Sequence, residues 1–204
     1  NVFIKVIYHH TKRWREQFTH GCLHLHGSAH ITRAPMIGKA LAKKIRDGDR
    51  VYGTCTVSPS PGWVNAITPA NPDFVFIDTE HNTLDRTQVG WMCRTYAALG
   101  IVPIVRITSA DPHLASSTID DGALGIVAPY IETVEQVNGL RGAVKHRPLK
   151  GGRLTDRLSG KRVSKEIDEY IINRNANNVL ILNIESQPAI DALDDLLAAP
   201  EVDG

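Results

Sequence analysis

Two carboxylates and an imidazole fall within four residues, Asp78-Thr79-Glu80-His81, directly after the apolar run Phe74-Val75-Phe76-Ile77. Two further short apolar runs also end in charge: Val102 to Val105 runs into Arg106, and Val179 to Ile184 runs into Glu185. A hard divalent cation wants oxygen ligands on rigid elements, and Glu185 or the Asp78/Glu80/His81 cluster could serve one. Such a cation grips a carbonyl oxygen and stabilises an enolate, and Arg106 adds positive charge where oxyanion character develops. An imidazole exchanges protons near neutral pH, so His81 is the candidate acid/base, with Asp78 placed to orient its ring. Spacing alone leaves a second reading open. Asp78 and Glu80 could instead cap the following helix, and Arg106 could form a structural ion pair.

These positions carry chemistry only if strands present them at one edge. In parallel α/β folds the strand body is packed on both faces, and ligands bind at the carboxyl ends. The sequence has the alternation such a fold needs. Apolar residues recur at helical spacing over Met36 to Ile45, Leu84 to Leu99, Asp111 to Ile119, Thr133 to Val144, Ser164 to Asn173 and Pro188 to Leu197. Short strand-like runs lie near residues 54, 76, 104, 125 and 182, with Pro103 awkwardly placed in the third. Five such units predict an α/β fold, a TIM-type (β/α)8 barrel truncated after the fifth β/α unit. Periodicity alone equally admits an open doubly wound sheet. Lys145 to Arg162 is basic, weakly periodic and glycine-containing, and reads as a long excursion or lid.

Residues 1–34 differ from the rest and read as an irregular N-terminal extension, leaving 35–204 as the catalytic domain. Cys22, His24 and His26 within the extension form a weak metal pattern without paired Cys-x-x-Cys spacing. The chain has 204 residues, 42% of them hydrophobic, and a net charge of +1. That is enough to bury a core, and it gives no whole-molecule field for nucleic acid or anionic membrane. Three widely spread cysteines, Cys22, Cys55 and Cys93, suggest free thiols in a reducing, cytoplasmic setting. No apolar run is long enough to span a bilayer, and the opening residues do not form a convincing secretion signal.

The sequence resembles the metal-dependent class II pyruvate aldolases that cleave hydroxy-oxo-heptanedioate and 2-dehydro-3-deoxyglucarate, a group that includes macrophomate synthase. The likeness runs from about Ile37 to Gly204. It is carried by Lys43-Lys44-Ile45-Arg46-Asp47-Gly48, Asp73 to His81, Val105-Arg106, Asp120-Asp121-Gly122-Ala123 and Asn183-Ile184-Glu185-Ser186. The resemblance implies that Glu185 ligates magnesium, manganese or cobalt and that His81, oriented by Asp78, is the acid/base. It also implies that Arg106 stabilises the enolate oxygen and that Asp120 lies at a subunit interface. The implied reaction is reversible aldol cleavage of a 4-hydroxy-2-oxo acid to pyruvate and an aldehyde through a metal-bound enolate, in a trimer-based or hexameric homo-oligomer. Macrophomate-synthase-like decarboxylation of oxaloacetate, with addition of the enolate, and a catalytically inactive structural or regulatory homologue are the alternatives. The family's second carboxylate ligand lies in a Gly-Pro-x-Asp segment, and this chain reaches Val202-Asp203-Gly204 just before it. Asp203 is not expected to replace that ligand. Lys145 to Lys161 also lacks the Pro-x-Gly-x-Arg-Gly pattern of many relatives.

Overall fold

The computed structural model describes residues 36–161 and 163–204. The proposed extension at 1–34 and the Cys22/His24/His26 group lie outside the described residues. Five strands form one sheet: β1 (Gly53–Thr56), β2 (Phe74–Asp78), β3 (Val102–Arg106), β4 (Gly125–Ala128) and β5 (Val179–Leu182). Between and around them run α1 (Ile37–Arg46), α2 (Pro61–Ile67), α3 (Arg86–Ala98), α4 (Pro112–Asp121), α5 (Val134–Lys145), α6 (Gly151–Leu158), α7 (Lys165–Asn175), α8 (Gln187–Asp191) and α9 (Leu193–Leu197).

Strand order decides between the two architectures the sequence admits. The sheet runs β1-β2-β3-β4-β5, every neighbour parallel, with no reversal. A doubly wound sheet must reverse its order at a switch point, whereas the wall of a β/α barrel advances one strand at a time. The described sheet is therefore five successive staves of a β/α barrel.

Register explains the packing. Val75 and Ile77 of β2, Val105 of β3, Ile126 and Ala128 of β4 and Leu180 of β5 share one face. They pack with Met92, Cys93 and Tyr96 of α3 and Val137, Leu140 and Val144 of α5 in the main hydrophobic core. The opposite face carries the row Cys55, Phe76, Ile104, Gly125 and Val179. Gly125 permits close packing there, since a Cβ would stand 2.9 Å from Ile104 Cγ1. One step towards the carboxyl ends, Asp78 and Arg106 are direct register partners.

Pro103 fits β3 because the ladder to β4 starts one residue later, at Ile104 with Gly125. Its carbonyl still accepts from Leu124 N at 3.0 Å, so only a donor below the ladder is missing. Two expectations need correction. Much of the supposed excursion is α6, whose Leu154 packs against Gly142 of α5 and whose Arg157 pairs with Asp168 of α7 at 2.5 Å. The supposed single helix at 188–197 is two short helices, broken at Ala192.

Candidate active site at the strand ends

Asp78 ends β2 on the face opposite the helices, beside Arg106 at the end of β3. Neighbouring strands lie close to 4.8 Å apart, so register alone brings the two side chains within reach. Arg106 Nε donates to Asp78 Oδ1 at 2.9 Å and Nη2 donates to Oδ2 at 2.6 Å. This two-pronged fork fixes the plane of the guanidinium. Beneath it, the Phe76 ring centroid lies 5.6 Å from the guanidinium carbon.

The same carboxylate shapes the following loop. Asp78 Oδ1 also accepts from Glu80 N at 3.0 Å and His81 N at 3.4 Å, and Oδ2 from Asn82 Nδ2 at 3.2 Å. A short acidic side chain that collects the next backbone N–H groups bends the chain into an Asx-type turn. Burial works to raise the Asp78 carboxyl, but the Arg106 hydrogen bonds, those backbone donors and the Arg106 charge outweigh it, leaving the group below its usual range. Arg106 is pushed up in return, first by its hydrogen bonds to Asp78 and further by the charges of Asp78, Glu80 and Glu185.

The turn separates the fates of Glu80 and His81. The Glu80 side chain is 7% exposed, with Oε2 3.1 Å from Arg106 Nη1 and buried without an aligned donor. The His81 side chain is 66% exposed, and its Nε2 lies 3.8 Å from Glu80 Oε2. The structure thus differs from the expectation that Asp78 orients the His81 ring. Asp78 accepts the His81 backbone N–H, its remaining capacity goes to Arg106 and Asn82, and the carboxylate nearest the ring is that of Glu80. Neither carboxylate caps the next helix: Asp85 caps α3, accepting from Gln88 N at 2.8 Å, while Gln88 Oε1 accepts from Asp85 N at 2.9 Å. Arg106 is ion-paired with Asp78.

Glu185 follows β5 in a short loop before α8. Its Oε1 accepts from Asn183 Nδ2 at 2.7 Å, and its Oε2 from Tyr130 N at 3.4 Å. Ser186 caps α8 through Ala189 N at 3.3 Å and donates to Glu132 Oε1 at 2.6 Å, tying this loop to the one after β4. Tyr130 after β4 binds Glu185 after β5, and Arg106 of β3 binds Asp78 of β2, so the carboxyl ends of these four parallel strands share one edge.

Tyr130 is the site residue that sequence reasoning missed. It follows β4 with a φ of 55°, in the left-handed region that a bulky side chain rarely adopts. Its phenol faces Glu80, whose hydrogen bond and charge push it above the ordinary range. The available signal was its place two residues beyond a buried strand. Asp120, by contrast, lies one residue before the end of α4, on the amino side of β4, and pairs with Arg147 of its own chain.

The donor set bears on a metal. Glu185 supplies a carboxylate oxygen of the type a hard cation prefers, but magnesium is usually six-coordinate. Among the described residues no group of three or more His, Cys, Asp or Glu side chains is disposed to hold an ion. The carboxylate of Glu185 is of the type such a cation takes, and the described residues bring no full ligand set together around it. Asp203 does not complete it. Its buried carboxylate accepts from Leu180 N at 3.0 Å and Lys145 Nζ at 2.5 Å and pairs with Arg46, at the amino end of β5.

Residues 56–204 match the HpcH/HpaI aldolase/citrate lyase family. The chain is 26% identical over 162 residues to a hydroxypyruvate/pyruvate aldolase from Roseovarius nubinhibens, covering 78% of this chain and 62% of the relative. An HpcH/HpaI aldolase/citrate lyase family protein from Burkholderia cenocepacia has a similar structure, with a TM-score of 0.64 and 26% identity over 80% of this chain and 66% of that one. Macrophomate synthase gives 0.60 and 25%, over 83% and 63%. The chain spans about three-fifths of the length of the curated relatives it matches.

Proposed function

The chain belongs to the HpcH/HpaI aldolase/citrate lyase family, and from that membership we propose that it serves reversible aldol cleavage of a 4-hydroxy-2-oxo acid to pyruvate and an aldehyde. The observation that carries the reading is the convergence of Asp78, Glu80, His81, Arg106 and Glu185 on one carboxyl edge of a barrel wall, with Arg106 held in a fixed plane.

In the cleavage direction a base removes the proton of the 4-hydroxyl group and the C3–C4 bond breaks. The aldehyde leaves, and the electron pair moves into C2–C3, placing negative charge on the C2 oxygen. Protonation at C3 then gives pyruvate. Asp78 occupies Nε and one N–H of Nη2, and Glu80 flanks Nη1, so the guanidinium meets substrate with its outward N–H groups. Those donors are preorganised for the developing oxyanion. His81 stands exposed at the same edge and is assigned the proton transfers. Glu185 would hold a divalent cation, magnesium, manganese or cobalt, which when bound would polarise the 2-oxo group.

Pyruvate release from a 4-hydroxy-2-oxo acid, measured on purified protein with and without manganese, tests the reading. Turnover that appears with metal and is abolished by chelator is expected; metal-indifferent turnover, or none with any 2-oxo acid, removes it. The macrophomate synthase likeness supports a second reading, decarboxylation of oxaloacetate followed by enolate addition. Carbon dioxide release from oxaloacetate in the same assay separates the two.

Assembly as a trimer-based or hexameric homo-oligomer and a cytoplasmic location belong to the same proposal. Light scattering on the purified protein tests the first. No helix among the described residues is long and apolar enough to cross a membrane.

A further inference from the structure

The asymmetry around Arg106 carries one step more, resting on the role just proposed for that residue. Asp78 binds the guanidinium through two aligned hydrogen bonds. Glu80 is different: it is nearly buried, it stands 3.1 Å from Nη1, and its Oε2 has no aligned donor. A carboxylate oxygen held dry beside a cation costs desolvation, and its Coulomb interaction must offset that cost. From the loop after β4, the Tyr130 phenol hydrogen-bonds Glu80. Tyr130 adopts a left-handed backbone with a φ of 55°, a conformation that a bulky residue keeps only where surrounding bonds over-determine it. Those bonds are present. Tyr130 N donates to Glu185 Oε2 at 3.4 Å, and Tyr130 O accepts from Gln136 Nε2 at 3.4 Å. Gln136 is in turn locked into the cap of α5 through Thr133.

We propose that Tyr130 and Glu80 are a positioning pair that holds the free edge of the Arg106 guanidinium at the angle needed to meet a substrate oxyanion. Asp78 sets the plane of the group. Glu80, braced by Tyr130, stops it from rotating out of register within that plane. The pair spans the loops after β2 and β4, so the angle is fixed by two strands rather than by one flexible turn. Tyr130 acts through Glu80, and Glu80 acts through Arg106; neither is assigned a bond to the substrate.

The variants are Tyr130→Phe and Glu80→Gln, both close in volume to the residues they replace, each made alone and in an Arg106→Ala background. Two measurements are made, the first on the proteins that keep Arg106 and the second on all of them. The first is hydrogen exchange at the Arg106 Nε–H, followed by 15N NMR, which needs no substrate. The second is steady-state pyruvate release with added manganese. In the otherwise native protein, exchange should speed up at least fivefold in both variants. The value of kcat should fall about tenfold with KM changed less than twofold, the pattern of an interaction made in the transition state. In the Arg106→Ala background neither substitution should lower kcat further. Unchanged Arg106 exchange in both variants overturns the proposal whatever the kinetics show. An equal kcat loss with and without Arg106 also overturns it, because the pair would then act elsewhere. If Arg106→Ala alone keeps native turnover while Arg106 exchange still responds to both variants, the positioning claim stands and the reading of Arg106 as the oxyanion partner falls.

Discussion

Arg106 is gripped by side chains of unequal kinds, and their removal should have unequal effects. Asp78→Asn leaves a half-buried guanidinium without its forked anion, at a cost of about 2–3 kcal/mol in urea unfolding at pH 7. The same variant should also lose part of its acid sensitivity. The folded Asp78 carboxyl lies below its ordinary value of 3.8, so its stabilisation is complete above that pH and fades as pH falls through the lower folded value. Native protein and Asp78→Asn should therefore converge in stability below pH 3.8, and a gap that stays constant down to pH 2 would contradict the assignment. At these positions the sequence was informative about place and silent about direction. Asp78, Glu80 and His81 can be read as occupants of a strand end from the apolar run before them. Which carboxylate turns to the imidazole and which to Arg106 depends on the strand register and on the turn that Asp78 itself imposes, and neither is written in the spacing.

The helices that frame these loops are set by their caps. Asp85 and Gln88 close the start of α3 reciprocally, and Thr133 and Gln136 do the same for α5. Ser186 has two tasks, capping α8 and binding Glu132 across the loops. Ser186→Ala should cost about 1 kcal/mol, comparable with the loss of other caps. It should also loosen the Glu185 loop, so metal affinity is expected to fall more than it does in Asp85→Ala, a capping change outside the Glu185 loop. Calorimetric titration with manganese distinguishes them, and equal affinities would detach Ser186 from the site. The helices α3 and α5 were legible from apolar spacing, over Leu84 to Leu99 and Thr133 to Val144. The helix α6 was not, because Lys150 offers no side-chain cap and two glycines open the helix. Its helical signal resides in tertiary contacts, with Leu154 on Gly142 and Arg157 on Asp168. Local composition cannot express either contact.

Across the described sheet, charge is distributed between two opposite edges. The carboxyl edge holds the candidate chemistry. The amino edge holds Arg46, Lys145 and Asp203, next to a second cluster in which Glu201 Oε2 stands 2.7 Å from His146 Nε2 and 3.0 Å from Arg141 Nη2. Burial acts to raise the Glu201 carboxyl, but His146 and Arg141 dominate and hold it down at about 2, from an ordinary 4.5. Its stabilising contribution is accordingly full above pH 4.5 and disappears as pH falls from 4.5 towards 2. Glu201→Gln should be less stable than native protein at pH 7 and should show a shallower loss across that acid window, read by urea unfolding at stepped pH. An identical slope in both proteins would exclude Glu201 as a source of acid sensitivity. The parallel β/α architecture was legible from alternation, and strand order then resolved what alternation left open. The amino-edge charges gave little sign of themselves, because Arg46, Lys145 and Asp203 are separated by up to 157 residues.

The clasp around Asp203 joins the ends of α1, α5 and β5 without drawing on any residue of the candidate site. The turn at 79–85 and the loop at 129–133 can consequently be varied while the barrel wall stays fastened from beneath. Libraries confined to those two loops should retain soluble, folded members at a higher rate than libraries of equal size that include Arg46, Lys145 or Asp203.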